Sequence, residues 1–175
     1  MSNISSDFFS ILSLNCQSLN SKFNEIKNLI SSLEEGGGSI DILAALSETW
    51  VKELNPFNIQ GYNLYCDSRP KGKGGGGTCI YIKKEINAKQ ISNLLFFLSN
   101  ILESTIVEIN IRGKLRFILI SLYRPNTNND MNSREQIESF FLRLSEILEF
   151  LDAYKMPQEL VTIHFLLLIT YLLKI

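Results

Sequence analysis

The sequence contains a single histidine, His164, so any mechanism that needs two histidines from this chain is excluded. Its three cysteines, Cys16, Cys66 and Cys79, are far apart and form no C-x-x-C pair. That pattern speaks against a disulfide framework and a zinc site, and it fits a reducing intracellular compartment, nucleus or cytoplasm. Net charge is nearly absent: 17 Lys plus Arg against 18 Asp plus Glu leave −1 at pH 7. A basic footprint spread over the chain is therefore missing, and nucleic-acid contact has to rest on a local patch. The opening Met1 to Asp7 has no Lys or Arg, unlike a secretory signal peptide. The one long apolar run, Leu160 to Leu173, contains Thr162, His164 and Thr170. It falls short of the roughly 18–20 residues that span a bilayer. A buried strand with an aberrant apolar tail is expected there, not a membrane anchor.

What is present suits one folded domain. The chain has 175 residues, 45% hydrophobic and 20% charged, close to the globular average. Phe8 to Leu14 alternates as a half-buried strand and ends at Asn15. Phe23, Ile26, Leu29, Ile30 and Leu33 recur at helical spacing. Ser18 or Ser21 is positioned to cap that helix, and Gly36-Gly37-Gly38 to end it. Asp41 to Leu46 reads as a buried strand, followed by Glu48-Thr49-Trp50. Tyr62 to Cys66 and Thr78 to Lys83 read as paired strands around a glycine-rich segment. Glu103 to Ile111 and Leu115 to Tyr123 read as a hairpin turning at Arg112-Gly113-Lys114. Ile137, Phe140, Phe141, Leu144, Ile147, Leu148 and Leu151 define a long amphipathic helix that Met156-Pro157 stops. A further strand is expected from Leu160. The order is strand, helix, strand, three or four more strands, helix, strand. That is a mixed α/β architecture with much antiparallel pairing, not a doubly wound sheet.

Few residues carry chemistry. Glu48 follows a buried strand, where a carboxylate can hold a hard cation such as Mg²⁺ through oxygen. Asn15 and Tyr123 also sit at strand ends, and Pro125 forces the chain out of the sheet after Tyr123. A tyrosine at such an end either packs in the core or offers its hydroxyl to a phosphate. The Gly72 to Gly77 run is not a P-loop, because Thr78 opens a strand where that motif requires a helix. Between Arg69 and Lys89, six basic residues and one acid give +5 locally. That charge suits a polyanion as well as a solvated loop. His164 lies in an apolar run and reads as a core or edge histidine.

Five stretches in order resemble one family: Leu12 to Leu19 with Lys22; Asp41 to Trp50 with its Ser-Glu-Thr-Trp ending; Gly61-Tyr62 before Arg69; the glycines leading into Cys79 to Ile82; and Leu122-Tyr123-Arg124-Pro125. They look like the endonuclease/exonuclease/phosphatase superfamily, closest to the apurinic-like endonuclease domain of non-LTR (LINE-type) retrotransposons. The resemblance implies a DNase I-like four-layer α/β/β/α sandwich, truncated after roughly its first half. Residues 1–165 are the expected partial domain and residues 166–175 the aberrant tail. It implies Mg²⁺-dependent cleavage of a DNA phosphodiester, and a parent polyprotein that carries a reverse transcriptase. Asn15 matches the active-site asparagine, Glu48 the metal-binding glutamate and Tyr123 the active-site tyrosine. Arg69, Lys71 and Lys73 fall in a loop beside the DNA groove.

The departures are specific. The family follows its long helix with a strand ending in Gly-Asp-x-Asn, whereas Leu160 to Ile175 holds no Asp, Asn, Glu, Ser or Gly. Ala44-Ala45 adds one residue before Ser-Glu-Thr, which a bulge must absorb if side-chain facing is to be kept. The expectation is an endonuclease fragment without turnover. The alternatives are a non-catalytic nucleic-acid-binding remnant, or another superfamily member such as a phosphoinositide phosphatase or sphingomyelinase. Apolar faces such as Ile118 and Ile120 are expected to lose their cover in such a fragment.

Overall fold

The computed structural model describes residues 10–38, 40–47, 49, 57–67, 76–93, 97–98, 100–111, 115–125, 134–154 and 164–170. In chain order the elements are β1 (Ile11–Asn15), α1 (Leu19–Glu35), β2 (Ile42–Ser47), β3 (Tyr62–Asp67), β4 (Thr78–Lys83), β5 (Asn87–Ile91), β6 (Phe97–Leu98), β7 (Leu102–Ile111), β8 (Leu115–Tyr123), α2 (Arg134–Ala153) and β9 (His164–Thr170). The first sheet has the order β1-β2-β4-β3. The second has the order β5-β7-β8-β9, with β6 paired to β7. β1–β2 and β8–β9 are parallel. The other pairs are antiparallel, as the mixed pattern predicts.

Three apolar clusters hold these elements together. Leu19, Ile26 and Ile30 of α1 pack with Cys79 and Tyr81 on one face of the first sheet. Ile42, Ile80 and Ile82 meet Val107, Ile109, Phe117 and Leu119 between the two sheets. Phe140, Leu144, Ile147 and Leu151 of α2 cover Ile106, Ile118, Ile120 and Leu122 on the far face of the second sheet. Ile118 and Ile120 are fully buried, contrary to expectation, in the cluster that α2 covers. The apolar stripes of both helices are wider than the faces they bury. Leu29, Leu33, Ile137, Phe141 and Leu148 remain exposed.

Other expectations are corrected. Among the described residues six strands, not three or four, lie between β2 and α2. The additional β5 and β6 are short, and β5 (Asn-Ala-Lys-Gln-Ile) has only one large apolar residue to mark it. The last strand is described from His164 to Thr170, and Leu160 to Ile163, where it was expected to begin, lie outside the described residues. Ser18 occupies the N-cap position of α1 but makes no side-chain cap bond. Its φ of 99° turns the chain there, and its carbonyl accepts from the Ser21 hydroxyl at 3.0 Å instead. At the other end of α1 the left-handed position falls on Gly37, φ +78°.

The largest correction concerns the cysteines. Cys66 and Cys79 form a disulfide. The β3–β4 register sets these residues directly opposite each other, with Cα atoms 4.3 Å apart. Their separation of 13 residues follows from strand pairing and matches no short motif. The disulfide removes the support that cysteine usage lent to a reducing compartment. Cys16 is buried and lies outside this disulfide.

Candidate active-site rim

The strand directions bring several chain ends to one edge. β1 and β2 end together, with Asn15 opposite Ser47. Ser47 and Asp67 both pair with Thr78, where β4 begins. In the second sheet Tyr123, at the end of β8, lies opposite Glu103 and Thr170. Thr78 and Thr105 join the sheets here by a hydroxyl–hydroxyl hydrogen bond of 2.8 Å. The ends of β1, β2, β3, β8 and β9 therefore share a rim with the starts of β4 and β7.

β2 reaches this rim with one extra residue. Its register with β1 shifts by one between Ser13/Ala44 and Asn15/Ser47. Its register with β4 shifts by one between Leu43/Tyr81 and Leu46/Cys79. Both shifts fall at the Ala44-Ala45 insertion, which a bulge thus absorbs.

Each expected site residue has a definite standing. Asn15 is exposed, and its Oδ1 accepts the Gln17 N–H at 3.2 Å. This local turn fits the positive φ of 43° at Gln17. Tyr123 is 4% exposed at the end of β8. Glu48, Arg69, Lys71 and Lys73 lie outside the described residues, as does the side chain of His164. The chain neighbours of Glu48 are both fixed at the rim. Ser47 pairs with Asn15 and Thr78. Thr49 donates its N–H to the Gly77 carbonyl at 3.3 Å and accepts the Leu19 N–H at 3.0 Å.

Two participants were missed. Glu103 is 1% exposed, and its carboxylate accepts the Gly77 N–H. Thr49 is 2% exposed and links Leu19 to Gly77 through its backbone. From sequence, Glu103 only marks the polar start of the first strand of the expected hairpin. β7 is instead covered on both faces, so Glu103, Ser104 and Thr105 are all buried. No local pattern announces the cross-sheet partner Gly77.

A Mg²⁺ site needs several oxygen donors around one point. Among the described residues no group of three or more His, Cys, Asp or Glu side chains is placed to hold a metal ion. The carboxylate that the rim does bury, Glu103, is engaged by a backbone amide. Among the described residues no helix is long and apolar enough to cross a membrane.

No protein-family profile and no curated protein matches the chain. Solved structures do. The endonuclease domain of TRAS1, a telomere-specific non-LTR retrotransposon, is similar at 16% identity and a TM-score of 0.55, over 82% of this chain and 54% of that one. AP endonuclease LMAP from Leishmania major is similar at 18% identity and a TM-score of 0.63, over 87% of this chain and 51% of that one. TDP2 from Caenorhabditis elegans is similar at 22% identity and a TM-score of 0.56, over 83% of this chain and 43% of that one. All three are members of the endonuclease/exonuclease/phosphatase (DNase I-like) superfamily. What this chain shares with them is the fold, and it spans about half their length.

Proposed function

We propose that these residues correspond to about half of a DNase I-like nuclease domain of the non-LTR retrotransposon type. In this reading the two sheets and two helices are the α/β/β/α layers of that domain. The parent polypeptide also carries a reverse transcriptase. DNA lies across the rim, with Arg69, Lys71 and Lys73 against its phosphates. The exposed Asn15 amide and the Tyr123 hydroxyl face a phosphate, and Glu48 is the carboxylate offered to Mg²⁺. The observation that supports the reading is the hydrogen-bonded rim joining Leu19, Thr49, Gly77 and Glu103 beside Asn15 and opposite Tyr123.

The 175 residues by themselves bind DNA without cleaving it. β9 runs to Thr170 opposite Tyr123, and the residues that follow, Tyr171-Leu172-Leu173, offer neither carboxylate nor amide. Removing one acid–base or charge-stabilising group typically costs on the order of 10²–10⁴ in rate, and several are missing here. One carboxylate leaves Mg²⁺ loosely held and largely hydrated.

A supercoiled plasmid incubated with the chain and Mg²⁺ tests this. The expected result is no nicking, together with duplex binding that weakens steeply as salt rises. Lys71→Glu with Lys73→Glu should flatten the slope of log affinity against log salt by about one per lysine. Metal-dependent nicking that disappears in Glu48→Ala would overturn the non-cleaving reading. An unchanged salt slope in the double variant would remove the basic segment from the binding surface.

A further inference from the structure

The Glu103 carboxylate is buried where apolar residues would be cheaper. The same inter-sheet face is Val107 and Ile109 two and three turns of the pleat further along β7. A carboxylate away from water is costly unless a hydrogen bond meets it. Here the Gly77 N–H does, at a residue whose φ of +87° only glycine adopts freely. Gly77 sits between the glycine-rich segment and the start of β4. Its carbonyl in turn holds Thr49, and the Thr49 carbonyl holds Leu19 at the entry to α1. One side chain from the second sheet thus anchors three separate segments of the first.

We propose that Glu103 is the positioning residue of the rim. It fixes the foot of the basic segment that carries Arg69, Lys71 and Lys73, and through Gly77 it fixes the chain on the C-terminal side of Glu48. What it positions for DNA rests on the function proposed above; the clamp itself does not. A backbone carbonyl at this site would serve the Gly77 amide equally well for folding alone. A carboxylate delivered from the opposing sheet ties the segment to Tyr123, the residue paired with Glu103.

Amide hydrogen exchange, read residue by residue, tests the clamp. In Glu103→Ala the Gly77, Thr49 and Leu19 amides should exchange on the order of tenfold faster. Ile80 and Ile82, further along β4, should keep their protection. Glu103→Gln retains an oxygen acceptor and should restore slow exchange at all three amides. Equal exchange at Gly77 in wild type and Glu103→Ala would overturn the proposal. So would a Glu103→Gln protein in which Ile80 and Ile82 are released together with Gly77, since that marks a general packing role.

A duplex oligonucleotide titrated across salt concentrations gives the second readout. Glu103→Ala should bind several-fold more weakly, with a flatter salt slope, and Glu103→Gln should recover both. Thr105→Val removes the neighbouring inter-sheet hydrogen bond without touching Gly77, and it should leave the slope unchanged. Wild-type protein that fails to bind the duplex while the exchange pattern holds would sink the DNA reading and leave the clamp standing. Wild-type binding with an unaltered slope in Glu103→Ala would sink the positioning role and leave the DNA reading standing.

Discussion

The two ends of the layer between the sheets are built from opposite materials. Away from the rim, Ile82, Ile109 and Phe117 meet in a dry cluster. At the rim, the corresponding positions on β4, β7 and β8 are Thr78, Glu103, Thr105 and Ser121, all buried. The same three strands switch from apolar to polar within two side-chain repeats. Among the described residues the buried Ser121 hydroxyl has no hydrogen-bond partner, so the polar end is not optimised for stability. The apolar end accounts for the fold. The polar end costs folding energy, which is the pattern expected where a sheet edge is shaped for a ligand.

The comparison breaks most readily at its apolar end. Phe117 is 3% exposed, and Phe117→Ala should destabilise the chain by about 3–5 kcal/mol. A denaturant midpoint little changed from wild type would show that this cluster does not carry the fold. Next in size is the disulfide. It closes a loop of about the length for which the chain-entropy account gives roughly 3 kcal/mol. Cys66→Ser with Cys79→Ser, or reduction of the wild type, should lower stability by about that much. Protein with the same midpoint in the presence and absence of a dithiol reductant would show that the bond contributes nothing.

At the polar end the expected costs differ between single and paired changes. Thr105→Val leaves the Thr78 hydroxyl without its 2.8 Å partner and should cost about 1–3 kcal/mol. Thr78→Val with Thr105→Val removes both hydroxyls and leaves only the Thr78 carbonyl without the Thr105 donor, so it should cost less than the single change. Equal losses in the single and double variants would mean that the pair stabilises the sheets outright, and the contrast between the two ends would fail.

These outcomes also bear on what the sequence could show. Helical spacing located α1 and α2, and apolar runs located β4 and β8, because each buries one defined face or is covered on both. The motif order pointed to the fold that the solved structures share. The Ala44-Ala45 insertion announced the bulge in β2, since an extra residue has to be absorbed somewhere. What stayed hidden depends on contacts between distant segments. Cys66 meets Cys79 only through the β3–β4 register, and Glu103 meets Gly77 only through the stacking of the sheets. Asn15 and Tyr123 were legible as strand ends, but the links through Thr49 were not.

The smallest effect concerns a polar group at the end of the molecule opposite the rim. Tyr62 begins β3, and its hydroxyl donates to the Ile40 carbonyl at 2.5 Å. Burial pushes its pKa up to about 12, helped by the negative charges of Glu34, Asp41 and Glu85. The unfolded chain releases this proton near 10. The contribution to stability is therefore whole below pH 10 and is lost as pH rises through 12, because the unfolded chain gives up its proton first. Salt screening of the neighbouring carboxylates keeps the effect modest. Tyr62→Phe removes the titration and should flatten the alkaline limb of the stability curve while leaving the DNA binding proposed for the rim unchanged. A curve between pH 10 and 12 that is the same in both proteins would show that Tyr62 does not govern this limb. Altered DNA binding in Tyr62→Phe would show that the two ends are coupled, and that polar groups away from the rim are more than structural.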